Sequence, residues 1–227
     1  MTKQFVPQPT YQATVQLLAQ ELVTRLAQLP GSRFLLGITG GPAAGKSTFA
    51  DSLRRELETL LAPETVIVVP MDGFHKTNRE LHDLSLWERK GDAETFDAAG
   101  FVDLITRIRH DSDKVITAPR FDRETDEPVA EAIVIQPEHR FIIVEGNYLL
   151  LPSEPWREIP GLLDDVWYLE APDDVVYRRL KERHLHRGLS GDALDQKIWS
   201  SDLQNVQRVA QSKHLASRVI TLPLQDT

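Results

Sequence analysis

The chain contains no cysteine, which excludes disulfides, thiolate metal sites and cysteine catalysis. Positive charge is the scarcer sign: 26 Lys and Arg stand against 34 Asp and Glu, a formal net charge of −8. Proteins that live on nucleic acid or anionic membranes ordinarily carry a basic excess, so neither is the expected partner. Long apolar runs are also missing. V-I-V-V from Val66 and F-I-I-V from Phe141 are far too short to cross a bilayer. The first ten residues, M-T-K-Q-F-V-P-Q-P-T, hold two prolines and no run of signal-peptide length. No internal repeat, low-complexity tract, H-E-x-x-H helix or guanine-reading N-K-x-D is present. What remains is a 227-residue chain with 41% hydrophobic and 26% charged residues, an ordinary globular mix near the upper end for one domain. A reducing cytoplasm suits it.

Helix-like and strand-like segments alternate. Val15, Leu18, Leu22, Leu26 and Leu29 recur at helical spacing until Pro30-Gly31 stops them. This gives an N-terminal helix over 1–30 packed on a core domain, 31–227. Strands are expected at 33–38, 64–70, 140–146, 165–170 and 218–223, with shorter ones at 114–118 and 132–135 separated by F-D-R-E-T-D-E-P. Helices are expected at 47–61, after Asp97, from Pro172 to about 187 and from 191 to about 215, and a polar stretch at 72–95. Near-continuous apolar strands between helices define an α/β protein: a five-stranded parallel sheet, helices on both faces and a small β-hairpin insertion. Ligands of such sheets bind beyond the carboxyl ends of the strands.

G-G-P-A-A-G-K-S follows the first strand and opens the second helix, matching G-x-x-x-x-G-K-[ST] in its required context. The nucleotide-binding loop is expected to comprise Gly40, Gly41, Pro42, Ala43, Ala44 and Gly45, whose glycines let the backbone curl so that its N–H groups face phosphate oxygens. The helix that starts with Lys46, Ser47 and Thr48 adds its positive dipole end. Lys46 is expected to reach the β- and γ-phosphates of ATP, and the Ser47 hydroxyl to sit on Mg²⁺. Asp72 follows the second strand in V-V-P-M-D-G-F-H. There it can take a proton from an acceptor hydroxyl, hold Mg²⁺ through water, or simply turn the chain with Gly73. Glu145 ends the next long strand in I-I-V-E-G-N, where it serves the metal's outer shell or caps a turn. Arg179, Arg183 and Arg187 stack on one helix face, a repulsion of about 0.2–0.5 kcal/mol per pair that a polyphosphate would relieve. The bland reading is a solvated helix with charge pairs to Asp174 and Glu182. His75 beside Asp72 is either a substrate contact or an ordinary loop histidine. Trp87, Trp156, Trp167 and Trp199 are expected to be core or partly buried. Arg89 and Lys90 would matter if the acceptor were anionic.

The blocks G-G-P-A-A-G-K-S, M-D-G-F-H, R-K-G-D-A-E-T-F-D, A-P-R-F-D-R, I-V-E-G-N-Y-L-L and R-L-K-E-R-H-L-H-R-G occur in this order. The chain resembles the phosphoribulokinase, uridine kinase and bacterial pantothenate kinase family over residues 33–223, and is most similar to its nucleoside/nucleotide kinase-like branch with fructose-transport-system kinases. The resemblance implies a three-layer P-loop NTPase fold and ATP- and Mg²⁺-dependent phosphorylation of a hydroxyl on a small metabolite. It implies that Asp72 is the base and a metal ligand and that Glu145 lies near the metal. It places Arg120 and Phe121 in the acceptor pocket, and Arg179, Arg183 and Arg187 in a lid around 178–190. Where the family usually has Tyr-Asp, Phe121 lacks a hydroxyl, which tilts the acceptor from a nucleoside toward a sugar-like polyol. Residues 205–215 match the segment flanking adenine. A nucleotide-binding regulatory ATPase without an acceptor is the alternative, and pairing into a homodimer is left open.

Overall fold

The computed structural model describes residues 10–29 and 33–223. The stop at Pro30-Gly31 and the prolines of the N-terminal segment lie outside the described residues. Helix α1 (Tyr11–Ala27) is capped by Thr10, whose hydroxyl accepts from Ala13 N at 3.2 Å. Its buried stripe of Val15, Ala19, Leu22 and Leu26 follows from three- and four-residue spacing. Strand β1 (Phe34–Thr39) is buried at every position and leads through the glycine-rich loop into α2 (Lys46–Leu60). The Tyr11 hydroxyl meets Ser52 on α2 at 3.2 Å, so α1 and α2 pack together.

Strand β2 (Val66–Pro70) runs into a tight turn, Met71–Phe74, that carries Asp72. The polar stretch at 72–95 holds α3 (Asn78–Asp83), begun by a reciprocal cap between Thr77 and Glu80. T-N-R-E carries the sequence pattern of that cap. Helix α4 (Ala98–His110) buries Phe101, Leu104, Ile105 and Ile108, with Asp97 at its N-cap as expected. Strands β3 (Ile116–Asp122) and β4 (Glu127–Ile135) form an antiparallel hairpin longer than the sequence suggested. The charged run expected to separate the two short strands is itself partly paired, Phe121 with Pro128 and Asp122 with Glu127. Solvated hairpin ends tolerate charge, and the pairing is interrupted at the turn and at a register shift between Ala118 and Arg120.

Strand β5 (Phe141–Glu145), the short α5 (Ile159–Leu162), β6 (Asp165–Glu170) and α6 (Asp173–His186) follow. The single helix expected from 191 is instead α7 (Gly191–Lys197), a π-helical turn (Ile198–Asp202) and α8 (Leu203–Ala210). The wider turn re-phases the chain: Leu194 and Ile198 face Val176 and Leu180 of α6, whereas Val209 joins the main core. Strand β7 (Arg218–Thr221) closes the sheet.

The main sheet has the order β2-β5-β1-β6-β7, with every pairing parallel. Alternate residues of β5 enter opposite cores: Ile142 and Val144 pack with Phe101 and Ile105, while Phe141 and Ile143 pack with Leu22 and Leu53. Arg25 of α1 is ion-paired with Asp165 at the start of β6, which ties the N-terminal helix to the sheet. Register decides where function can sit. Glu145 is level with Ile38 on β1 and with Pro70 on β2. The phosphate loop, Glu145 and the Asp72 turn therefore leave the same sheet edge side by side.

Candidate active site

The glycine-rich loop follows from backbone geometry. Gly40 has φ +150°, and a Cβ there would sit 2.4 Å from the Leu169 carbonyl oxygen, so only glycine fits. Gly45, with φ +98°, turns the chain into α2, where Arg179 Nη1 stands close by. Ala43 is also left-handed, at φ 60°. The result is a curled backbone ahead of a helix N-terminus. Lys46 is buried, and its Nζ donates to the Gly41 carbonyl at 3.0 Å and to Asn147 Oδ1 at 2.5 Å. Burial lowers its pKa, while the charges of Glu145 and Asp72 oppose that shift. The Ser47 hydroxyl donates to Glu145 Oε1 at 3.0 Å. Thr48 is exposed on α2.

A cavity of about 420 Å³ opens beside these residues. Ser47, Asp72 and Glu145 line it on the sheet side, and Arg120, Phe121 and Arg123 on the hairpin side. The Glu145 carboxyl is pushed up to about 7, first by burial and then by the charge of Asp72. The hairpin is held there by backbone contact: a Cβ on Gly73 would lie 2.2 Å from the Pro119 carbonyl oxygen. His75 stacks on Phe96 with centroids 3.9 Å apart and leans on Phe121 at 4.9 Å. Its Nδ1 is buried without a hydrogen-bond partner. Burial lowers its pKa to about 4, so the ring is neutral at pH 7.

The three arginines of α6 have separate partners. Arg179 Nη1 donates to the Ala43 carbonyl at 3.1 Å, directly on the phosphate loop. Arg183 Nη2 donates to Asp202 Oδ1 at 2.9 Å. Arg187 lies 3.5 Å from Asp126 at the hairpin turn. The pairs with Asp174 and Glu182 weighed from sequence are not among the described ion pairs, because the acids of other elements sit closer. Asp202 also meets His184 Nε2 at 2.7 Å and is itself buried.

Several expectations change. Trp199 is 63% exposed beside Tyr177, since the π turn points it outward, whereas Trp156 and Trp167 are core residues as expected. Arg89 is engaged by Asp92 and Glu94. Lys90 is held by Asn78 and Asp126. Asn205 donates to Asp92 Oδ1 at 2.7 Å, and its neighbour Val206 lies against Gly41 of the loop. Sequence reasoning gave no role to Asn147, Asp51, Arg54, Arg123 or Asp202. Asp51 and Arg54 also line the cavity, four and seven residues after Ser47 on one face of α2, a spacing visible in the sequence. Asn147 lies in the same E-G-N block as Glu145. Asp202 had no signal, because its position depends on the π turn.

The residues present fit a magnesium nucleotide. Two neighbouring carboxyls, one of them buried, stand beside a serine hydroxyl, and a divalent cation relieves that repulsion. Among the described residues no group of three or more His, Asp or Glu is arranged to hold a metal alone. Mg²⁺ is ordinarily bound by one or two carboxylates plus water and substrate phosphates.

A parallel α/β sheet with this loop, lysine and serine defines a P-loop kinase fold. The model of the phosphoribulokinase / uridine kinase family matches residues 35–221, and the chain belongs to that family. Its members are small-molecule kinases that use ATP with Mg²⁺. The chain is 37% identical over 175 residues to C227.14 of Schizosaccharomyces pombe, provisionally named a uridine kinase, covering 74% of each chain. It is 32% identical over 196 residues to YggC of Escherichia coli K12, covering 85% of this chain and 79% of that one. A solved structure from Silicibacter sp. TM1040, provisionally assigned as a fructose transport system kinase, superposes with a TM-score of 0.83 at 35% identity. It covers 91% of this chain and 98% of its own. No helix among the described residues is long and apolar enough to cross a membrane.

Proposed function

We propose that this chain transfers the γ-phosphoryl group of ATP to a hydroxyl of a small sugar-like metabolite. The observation that carries this reading is the position of Asp72. It shares one cavity with Ser47 and Glu145, and its charge acts on the buried Lys46. When bound, magnesium ATP supplies the phosphoryl group and the cation that neutralises its oxygens. Backbone N–H groups of the glycine-rich loop and the first turn of α2, Pro42 excepted, cradle the phosphates. Lys46 Nζ exchanges Gly41 and Asn147 for phosphate oxygens. Ser47 Oγ, Glu145 and Asp72 would hold the metal. A carboxylate oxygen of Asp72 would take the proton of the acceptor hydroxyl as its oxygen bonds the γ-phosphorus and the bond from that phosphorus to the β–γ bridging oxygen breaks, releasing ADP. Arg179 and Arg183 of the 178–190 lid offset phosphate charge, Arg187 latches the lid to the hairpin turn, and the closed lid excludes water. All these groups come from one chain, so the reading needs no second copy.

A regulatory ATPase would need the loop but no acceptor space. The cavity between Asp72 and Phe121 supports the kinase reading instead. We place the reaction in the cytoplasm, where ATP and Mg²⁺ are supplied. The test is ADP release over a panel of polyols, nucleosides, hydroxy acids and their phosphates. Acceptor-stimulated turnover that disappears in Asp72→Asn is expected. Full turnover in that variant would reject Asp72 as the base, and tight nucleotide binding with no stimulation by any acceptor would favour the regulator.

A further inference from the structure

We infer that the acceptor carries an anionic group, phosphate or carboxylate, held by Arg120 and Arg123 at the hairpin side of the cavity. This rests on the kinase reading above. Of the three guanidinium groups lining the cavity, Arg54 is spent: it is bonded to Asp51 and Glu58 on its own helix. Arg120 and Arg123 are not. Neither makes a hydrogen bond or an ion pair among the described residues, although the chain carries a net acidic excess. The field of Arg123 reaches Glu145 and Arg183, so its charge acts on the cavity interior.

The acids of the cavity are already committed. Glu145 receives the Ser47 hydroxyl and faces Lys46, and Asp72 serves the acceptor hydroxyl and the metal. Arg120 and Arg123 are exposed on the hairpin side of the cavity with no side-chain hydrogen-bond partner among the described residues, so an anionic ligand group can reach both. Guanidiniums bind phosphate and carboxylate in paired, planar contacts. Between the two ends, Val68, Pro70, Phe121 and Ile133 supply an apolar wall for a short carbon skeleton. A nucleobase finds no open stacking platform. The Phe121 ring is already engaged by His75 at 4.9 Å and by Lys90 Nζ at 5.3 Å. The complementary ligand is a small hydroxy compound with its hydroxyl at Asp72 and its negative charge at Arg120 and Arg123.

The experiment is steady-state ADP release by the full chain with matched acceptors. Suitable pairs are ribose with ribose 5-phosphate, fructose with fructose 6-phosphate, glycerol with glycerate, and pantothenol with pantothenate. Uridine completes the set. The anionic member of a pair is expected to be preferred at least tenfold in kcat/KM. Arg120→Gln/Arg123→Gln should raise the KM for that acceptor by about ten- to a hundredfold, on the scale of lost charge-assisted hydrogen bonds. Its effect on the KM for ATP should be much smaller. Arg107→Gln, an exposed arginine on α4 away from the cavity, should change neither. Preference for neutral members overturns the inference. So does a double variant whose loss falls on ATP, because the arginines would then serve the nucleotide. Loss of magnesium ADP binding by the wild type, read by calorimetry, would instead refute the kinase reading.

Discussion

The Ser47 hydroxyl, on the first turn of α2, donates to the carboxylate of Glu145 at the tip of β5 at 3.0 Å. The two residues are 98 positions apart. Parallel register alone brings them together, since Glu145 aligns with Ile38 just before the phosphate loop. This pair couples the metal-side groups to pH.

Glu145 titrates near 7 in the folded chain, against an ordinary value of 4.5. A raised carboxyl pKa stabilises the fold below the unfolded value, and that contribution is lost as pH rises through the folded value. Melting of the nucleotide-free protein should therefore show a stability loss between about pH 4.5 and 7 that Glu145→Gln lacks. At pH 8 the variant should melt on the order of 2–6 °C higher. Magnesium ADP should bind the wild type more weakly at pH 6 than at pH 8, because the metal requires the ionised carboxylate. A flat calorimetric profile across that range would contradict the assignment.

Removing the base at Asp72 should separate chemistry from binding. Asp72→Asn is expected to lower kcat by about 10²–10⁴-fold, the usual range for a positioned base. The affinity for ADP without magnesium, held by the phosphate loop and Lys46, should be little changed, whereas any added loss with magnesium reports the share of Asp72 in holding the metal. Stopped-time assays and calorimetry on the same preparation measure both.

Gly73 seats the hairpin against the turn that carries Asp72, which in the proposed reaction fixes the distance between acceptor wall and base. In Gly73→Ala the new Cβ would meet the Pro119 carbonyl oxygen at 2.2 Å, and backbone cannot swing aside. A destabilisation of about 1–3 kcal/mol is expected. Acceptor KM should rise while magnesium ADP affinity holds. Gly161→Ala, with nothing near its Cβ, is the neutral comparison. Equal melting temperatures for the two variants would show that the hairpin is not seated on Gly73.

In the proposed mechanism Asp202 acts through Arg183. It is buried and bonded to both Arg183 and His184. Asp202→Asn should reduce kcat about tenfold, and the same change should add little in an Arg183→Ala background, the non-additivity of a shared path. Additive losses would give Asp202 a separate, purely structural role.

The sequence by itself determined the alternation of strands and helices, the phosphate loop, and the acids Asp72 and Glu145 at strand tips. Each depends on short-range regularities: apolar runs, glycine at left-handed positions, a helix beginning at Lys46. It also contained the Thr77–Glu80 cap and the helical spacing of Ser47, Asp51 and Arg54. Only tertiary structure decided the rest. Parallel register set Glu145 against Ser47, and a backbone contact at Gly73 brought Arg120 and Arg123 to the same cavity as Asp72. A π turn gave Asp202 to Arg183 and turned Trp199 to solvent. These relations join residues from 19 to 98 positions apart, through sheet register and helix phase. Local propensity does not encode them, because the energy that fixes them comes from packing distant surfaces together.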